Sequence, residues 1–222
     1  MVEQPFLPRA LGGLMPLKPE LVLPASVACA RAFADDPTTD YLIPDANKRA
    51  NLRFAEEYYL RLSLISGGGT FVTSEKCEGL AMWIDSERKD NFFNHLRAGF
   101  PFLPLRCGWR YLFREAALDL HFSRLRKELV PTRHMYLAVL AVDPEYHGQG
   151  FASKLMRPML GHLDDRQLLA YLETQTPRNV EMYRRWGFEL LREESMPGSD
   201  LKLYLMSRQP KRTAQERLIH SP

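Results

Sequence analysis

Val142-Asp143-Pro144-Glu145-Tyr146-His147-Gly148-Gln149-Gly150-Phe151-Ala152 joins an apolar run at 136–142 to an amphipathic run at 151–163. Proline cannot donate to a sheet ladder, so a strand over 136–142 has to end at Pro144. A glycine-containing turn then feeds straight into a helix. Such a turn offers several backbone N–H groups at a positive helix end, which is an anion site suited to a pyrophosphate. Gly148 and Gly150 permit close backbone approach, and Ala152 keeps the first helical turn small. A lone Gly-x-Gly also fits an ordinary strand–helix turn, so context has to decide. The dinucleotide fingerprint needs a third glycine where Ser153 stands, and the Gly-Lys-Ser/Thr of a nucleoside-triphosphate loop is absent.

Working outward, 168–173 reads as a strand closing on Leu172-Glu173-Thr174. Thr176-Pro177-Arg178-Asn179 opens a helix with an N-cap residue and Pro at the first position. Asn179 and Tyr183 are four apart and share one face of that helix. Gly187, in Trp186-Gly187-Phe188, suits a left-handed C-cap. Two strands, 188–193 and 201–206, follow. Upstream, a short strand at 14–17 precedes a helix at 24–34, which Asp35-Asp36-Pro37 stops. A second helix at 48–65 carries Leu52, Ala55, Tyr59, Leu62 and Ile65 on one face. A hairpin over 70–74 and 79–84 comes next. The first dozen residues read as a loose arm and the tail after Arg208 as frayed. Strand–helix–strand–helix at this spacing predicts an α/β sheet with at least one parallel pair.

The 222 residues are 45% hydrophobic, enough for one domain with a sizeable core and too apolar for disorder. The longest apolar run, the one ending at Val142, is far short of the roughly 20 residues of a membrane span. Residues 1–8 lack a basic start followed by an apolar core, so no secretory leader is expected. Cys29, Cys77 and Cys107 are scattered, without a CxxC pair. That fits a reducing cytoplasm and argues against a disulfide scaffold or a zinc site. The six histidines show no metal-ligand spacing, and no metal is expected. A net charge of +3 is too small to imply nucleic acid.

Three segments together resemble the GNAT superfamily of acyl-CoA-dependent N-acetyltransferases: 136–152, Leu172-Glu173-Thr174, and Pro177-Arg178-Asn179 leading to Tyr183 and Gly187-Phe188. Within it the chain looks most like the puromycin N-acetyltransferase-type branch, through Ala32-Phe33-Ala34-Asp35-Asp36-Pro37 and the strand holding Trp83. The specific motifs cover about 134–207, agreement over 24–84 is weaker, and 86–133 matches no motif. One departure is His147, standing where the family's loop usually opens with Gln or Arg.

The resemblance implies an α/β fold with a mixed, mostly antiparallel sheet, a splayed parallel central pair and flanking helices. It implies one domain over 14–208 with a helical insertion at about 86–133. The activity implied is acetyl transfer from acetyl-CoA to a primary amine of a small molecule, by direct attack in a ternary complex. The pantetheine arm would lie in the splay beside Leu140, Ala141 and Val142, where a backbone N–H polarises the thioester carbonyl. His147, Gly148, Gln149, Gly150, Phe151, Ala152 and Ser153 would form the pyrophosphate cradle, and Asn179 would hold the CoA arm. Tyr183, as a phenol protonated at neutral pH, would give its proton to the departing sulfur. Glu173 reads equally as the base or water-positioner for the acceptor ammonium and as a strand-end carboxylate in a salt bridge. His134 and Tyr136 share a strand face beside it.

Asp35, Asp36 and Asp40-Tyr41 lie in a loop that often faces the acceptor in this superfamily, and they fit either a cationic amine or a solvated turn. Trp83 reads chiefly as core. The segment 86–133 holds eight of the 24 aromatics and carries ten Lys/Arg against five Asp/Glu, so it is +5 and the rest of the chain −2. It suits an extra helical layer closing the pocket, a hydrophobic acceptor pocket, or a basic amphipathic surface for membranes or a partner. The expected partners are a small-molecule amine, no nucleic acid and no stable membrane insertion, with the chain a monomer or homodimer. Three other readings stand beside this one: a non-catalytic acyl-CoA-binding sensor, an enzyme acting on a protein or peptide amine, and a basic protein acting on nucleic acid or membrane through residues 86–133.

Overall fold

In the computed structural model, which describes residues 11–89 and 91–211, seven strands form one sheet. In chain order the strands are β1 (Met15–Pro16), β2 (Gly69–Val72), β3 (Gly79–Asp85), β4 (His134–Val142), β5 (Leu169–Thr174), β6 (Glu189–Ser195) and β7 (Lys202–Arg208). Their spatial order is β1-β2-β3-β4-β5-β7-β6. Every neighbouring pair is antiparallel except β4 and β5. The fold class implied by the resemblance is therefore the observed one. Of the expected N-terminal arm, residues 1–10 lie outside the described residues, as does the tail from 212. Leu11 and Leu14, which bridge to each other, are buried in the core.

The helices cover both faces. On one face α7 (Phe151–Asp165) and α8 (Pro177–Arg184) pack with Met135, Leu137, Ala170 and Leu172. The other face is shared. There α1 (Val22–Ala32) and α3 (Leu52–Ile65) cover β2–β4 through residues such as Ala25, Leu60, Leu80 and Ala141. Beside them α6 (Trp109–Leu129) covers β5 and β7, with Leu118, Phe122 and Leu125 against Tyr171, Leu203 and Leu205. Trp83 is fully buried in the α7–α8 layer, as its core reading requires.

The segment 86–133 contributes α4 (Phe92–Ala98), α5 (Leu103–Cys107) and α6. Its last helix is part of the sheet's covering layer, because its apolar stripe has nowhere else to go. The stretch after Asp36, read as loop from sequence, holds a further helix, α2 (Pro37–Leu42). Asp36 caps it by accepting from the Thr38 N–H at 2.8 Å, and Pro37 occupies its first position. The same dipeptide that stops α1 starts α2, a role the stop signal conceals.

The C-terminal strand is pinned from below. Arg208, whose side chain is 3% exposed, makes a bidentate pair with Asp164 of α7 at 2.7 and 2.8 Å. Its Nε also donates to the Trp186 carbonyl at 3.0 Å, which closes the α8–β6 turn. Removing one member of a buried pair strands the other charge. Asp164→Ala is therefore expected to lower unfolding free energy by about 3 kcal/mol in urea titrations. Burial notwithstanding, Arg208 holds the Asp164 carboxyl below its ordinary value. Its contribution is thus present above pH 3.8 and lost as pH falls through the folded value, so the deficit of the variant should shrink in acid.

Candidate active site

The parallel ladder between β4 and β5 has four pairs, from His134↔Leu169 to Leu137↔Leu172, and then stops. Beyond it, Ala138–Val142 remains paired to β3, while Glu173 and Thr174 pair to β7. The two strands part at the centre of the sheet. On the β3 side the register runs Met82↔Val139 and then Trp83↔Leu137, which leaves Ala138 as the extra residue of a β-bulge. The bulge shifts the alternation: Met135 and Leu137, then Leu140 and Val142, pack against the α7–α8 layer.

Which backbone groups enter the gap follows from the ladder. Asp143 N–H donates to the Glu78 carbonyl at 2.9 Å, and Thr73 N–H to the Gly79 carbonyl at 3.1 Å. In an antiparallel pair hydrogen-bonded and non-hydrogen-bonded positions alternate. Ala141 is therefore bonded toward Leu80, and Leu140 and Val142 turn their N–H and C=O groups away from β3, into the splay. The Ala141 backbone, in contrast, faces away from the gap.

The loop that follows is braced from outside. Arg31 of α1 reaches Asp143 at 3.3 Å and Glu145 at 2.8 Å, and Asp143 Oδ1 accepts from the Glu145 N–H. Gly148 and Gly150 have φ of +77° and +83°, and a Cβ at either would meet no atom within 4 Å. Their value is conformational: they carry the backbone through left-handed geometry and leave open space in front of it. Gly150 precedes α7, whose N-cap makes no side-chain hydrogen bond, so the first-turn N–H groups of Phe151, Ala152 and Ser153 remain as donors. Gln149 turns its amide back to the Glu145 carbonyl at 3.2 Å. The His147 ring also turns inward, with Nε2 2.9 Å from the Val142 carbonyl. Backbone donors, glycine openness and a helix end match the chemistry of a diphosphate. The His147 side chain is engaged with the strand end instead.

Tyr183 sits on α8 and is 6% exposed, wedged between Trp186 and Phe188 at centroid distances of 5.9 and 5.7 Å. Gly187, at φ +86°, lets the chain reverse so that Phe188 N–H returns to the Tyr183 carbonyl at 3.2 Å. Burial, and secondarily the Asp36 carboxylate, push the Tyr183 hydroxyl well above the ordinary phenol range. It is a protonated acid at neutral pH. Asn179 lies one turn earlier, half-buried. The Asp36 carboxyl is itself raised, by burial first, and its charge is felt at the Tyr183 hydroxyl. Asp35 is exposed, and Asp40 is exposed and paired with Arg49.

Glu173 lies on the opposite face of β5. Its side chain is 2% exposed, and Oε1 accepts from Arg126 of α6, at 3.1 Å from Nη2 and 3.3 Å from Nε. Oε2 is buried, and the Tyr136 and Tyr171 hydroxyls interact with the carboxyl and favour its charged form. Arg126 also stacks over the Tyr136 ring at 3.8 Å. Burial raises the Glu173 carboxyl above its ordinary value against the pull of Arg126. His134, on the same face, is buried and held by Nδ1 to the Thr132 carbonyl at 2.8 Å, and burial lowers its pKa. Arg126 did not figure among the expected site residues. Its signal was a charge four residues after Phe122, on the buried stripe of an amphipathic helix.

An acetyltransferase (GNAT) family model matches residues 116–188, from within α6 to the end of the α8 turn. Among solved structures, the chain is similar to a histone acetyltransferase HPA2 and related acetyltransferase from Corynebacterium glutamicum. That match has 20% identity and a TM-score of 0.62, covering 92% of this chain and 99% of that one. Arylalkylamine N-acetyltransferase 2 from Aedes aegypti matches at 13% identity and a TM-score of 0.58, covering 89% and 98%. A putative arylalkylamine N-acetyltransferase 7 from the same mosquito matches at 16% and 0.54, covering 89% and 87%. The chain therefore has the GNAT fold.

The Glu173–Arg126 pair generates a test of its own. Arg126→Ala should cost about 3 kcal/mol or more at pH 8, because a buried carboxylate loses its cation. A carboxyl raised in the folded state binds more protons folded than unfolded, so folding is favoured as pH drops toward the unfolded value. The deficit of the variant should accordingly narrow between pH 8 and pH 5. A pH-independent deficit would mean that Glu173 is not the group left uncompensated.

Proposed function

We propose that this GNAT-fold chain is an acetyl-CoA-dependent N-acetyltransferase that moves an acetyl group to a primary amine of a small molecule. The observation that carries the reading is the splay of β4 from β5 after Leu137 and Leu172. It opens backbone hydrogen-bonding groups at the centre of a sheet, where any other arrangement would have paired them. The Leu140 and Val142 backbone hydrogen-bonds the pantetheine amides, and one of these N–H groups polarises the thioester carbonyl as it becomes an oxyanion. Gly148 to Ser153 hold the pyrophosphate through backbone N–H groups, and Asn179 holds the arm. Held this way, the thioester carbon is exposed to direct attack by an amine, without a covalent enzyme intermediate.

Two proton movements remain, and two groups on opposite faces of the sheet take them. Tyr183 protonates the departing thiolate. Its raised pKa keeps the proton available at neutral pH, and its packing keeps the ring aimed. Glu173 takes the proton of the acceptor ammonium, directly or through one water, at Oε2, the oxygen that Arg126 leaves free. Asp36 adds negative charge on the Tyr183 side, which favours a cationic amine over a neutral acceptor. The similarity to arylalkylamine N-acetyltransferases supports a small amine as acceptor.

A thiol-release assay with acetyl-CoA and a panel of small primary amines, polyamines and peptides tests the reading. Turnover with a small amine is the expected result. Turnover confined to peptides would replace the acceptor class, and CoA binding without release on any amine would make the chain a sensor. Tyr183→Phe should lower thiol release by roughly 100-fold or more with the acetyl-CoA dissociation constant unchanged. An unaltered rate removes Tyr183 from the chemistry.

A further inference from the structure

Twelve large apolar side chains stand exposed among the described residues, and nine of them lie between Phe92 and Leu120. On α6, Trp109, Phe113 and Leu120 follow one another at spacings of four and seven, so they share a stripe. They are 66%, 71% and 73% exposed, and Leu105 of α5, just ahead, is 83% exposed. This stripe is not the one that packs on the sheet, which is Leu118, Phe122 and Leu125. The helix thus carries a second apolar face, turned outward.

Cations are set among these side chains. Between α3, α4 and α5 lies an open cavity of about 250 Å³ lined by Arg61, Arg97 and Arg106, with Phe54 and Phe102 in its wall. The single carboxylate in the lining is Glu57, which pairs with Arg61 at 2.7 Å. The Arg106 guanidinium carbon lies over the Phe54 ring, 4.5 Å from its centroid, a cation held against an aromatic face. Phe102, in the cavity lining, is itself 59% exposed.

We propose that the α4–α6 face docks on an anionic phospholipid surface, with the arginine-lined cavity receiving a lipid phosphate and the aromatic stripe resting at the headgroup–acyl boundary. Charge decides the occupant. A second copy presenting the same face would set Arg97 and Arg106 against their equals, while Glu57, the one carboxylate in the cavity lining, is already paired to Arg61. An anionic leaflet supplies phosphate and hydrocarbon together, the two chemistries this surface interleaves. Docking of this kind is peripheral, in line with the finding that no helix among the described residues is long and apolar enough to cross a membrane. The inference is independent of the catalytic assignment, since none of these residues lines the β4–β5 splay.

Co-sedimentation of the full chain with vesicles tests it. Binding is expected to vesicles of mixed phosphatidylcholine and phosphatidylglycerol at low salt, to weaken at high salt, and to be absent on pure phosphatidylcholine. Arg97→Gln with Arg106→Gln should weaken binding by at least 10-fold, and Trp109→Ser with Phe113→Ser should abolish it. Acetyl-CoA affinity should be unchanged in both, which separates a lost surface from a lost fold. Arg97→Lys with Arg106→Lys should retain most of the binding. No association with anionic vesicles at low salt overturns the proposal, as does equal binding to neutral vesicles. Self-association removed by Trp109→Ser, without vesicle binding, would assign the face to a second copy. Binding of soluble glycerol phosphate without vesicle binding would assign the cavity to a free phosphate ester.

Discussion

The parallel contact between β4 and β5 is only four residue pairs long, and the rest of the molecule is arranged around its early end. A central strand normally satisfies both edges of its backbone. Here the second half of β4 satisfies one edge with β3 and leaves the other open, because its pairing to β5 ends at Leu137↔Leu172. The bulge at Ala138 lets β4 stay registered with β3 while it bends away. Unpaired N–H and C=O groups in a sheet interior are costly unless a ligand or water meets them. That cost is why the gap is the place proposed for a ligand.

The two faces of the sheet then acquire different chemistry. On the α7–α8 side the neighbours of the gap are a glycine turn, a helix N-terminus and a phenol kept protonated by burial. On the α6 side they are a carboxylate and the guanidinium that holds it. A buried ion pair of this kind contributes little net stability, but it locks one oxygen of Glu173 and orients the other. Arg126 comes from the helical segment between β3 and β4, so that segment is tied into the site's geometry. The same helix presents a second, outward apolar stripe. One amphipathic element thus serves the sheet on one side and faces solvent with the other.

Much of this was legible in local pattern. Pro144, the spacing of Gly148 and Gly150, and the amphipathic run after them mark a strand, a turn and a helix without reference to anything distant. Asn179 and Tyr183 could be placed on one helix face from their spacing alone. The capping role of Asp36 was not legible, because Asp-Pro serves both to stop one helix and to start the next, and only the backbone on each side distinguishes them. Nor was the inward turn of His147, which depends on where the Val142 carbonyl points. Glu173 had two readings, and its contact with Arg126 spans 47 residues of chain, a separation at which no periodicity carries information.

By itself the sequence determined the order of the strands, the glycine turn that leads into a helix, and the concentration of aromatic and basic residues in 86–133. These follow from short-range rules: side-chain period, proline and glycine backbone limits, and capping. Tertiary structure alone decided where β4 parts from β5, which backbone groups enter the gap, that Arg126 meets Glu173, and that the charge of Asp36 reaches Tyr183. It also decided that nine of the twelve exposed large apolar side chains lie on α4–α6 and the turn between α4 and α5. The reason is physical: register, splay and burial are set by packing between segments far apart in the chain. A residue's neighbours in sequence do not encode which distant surface will cover it.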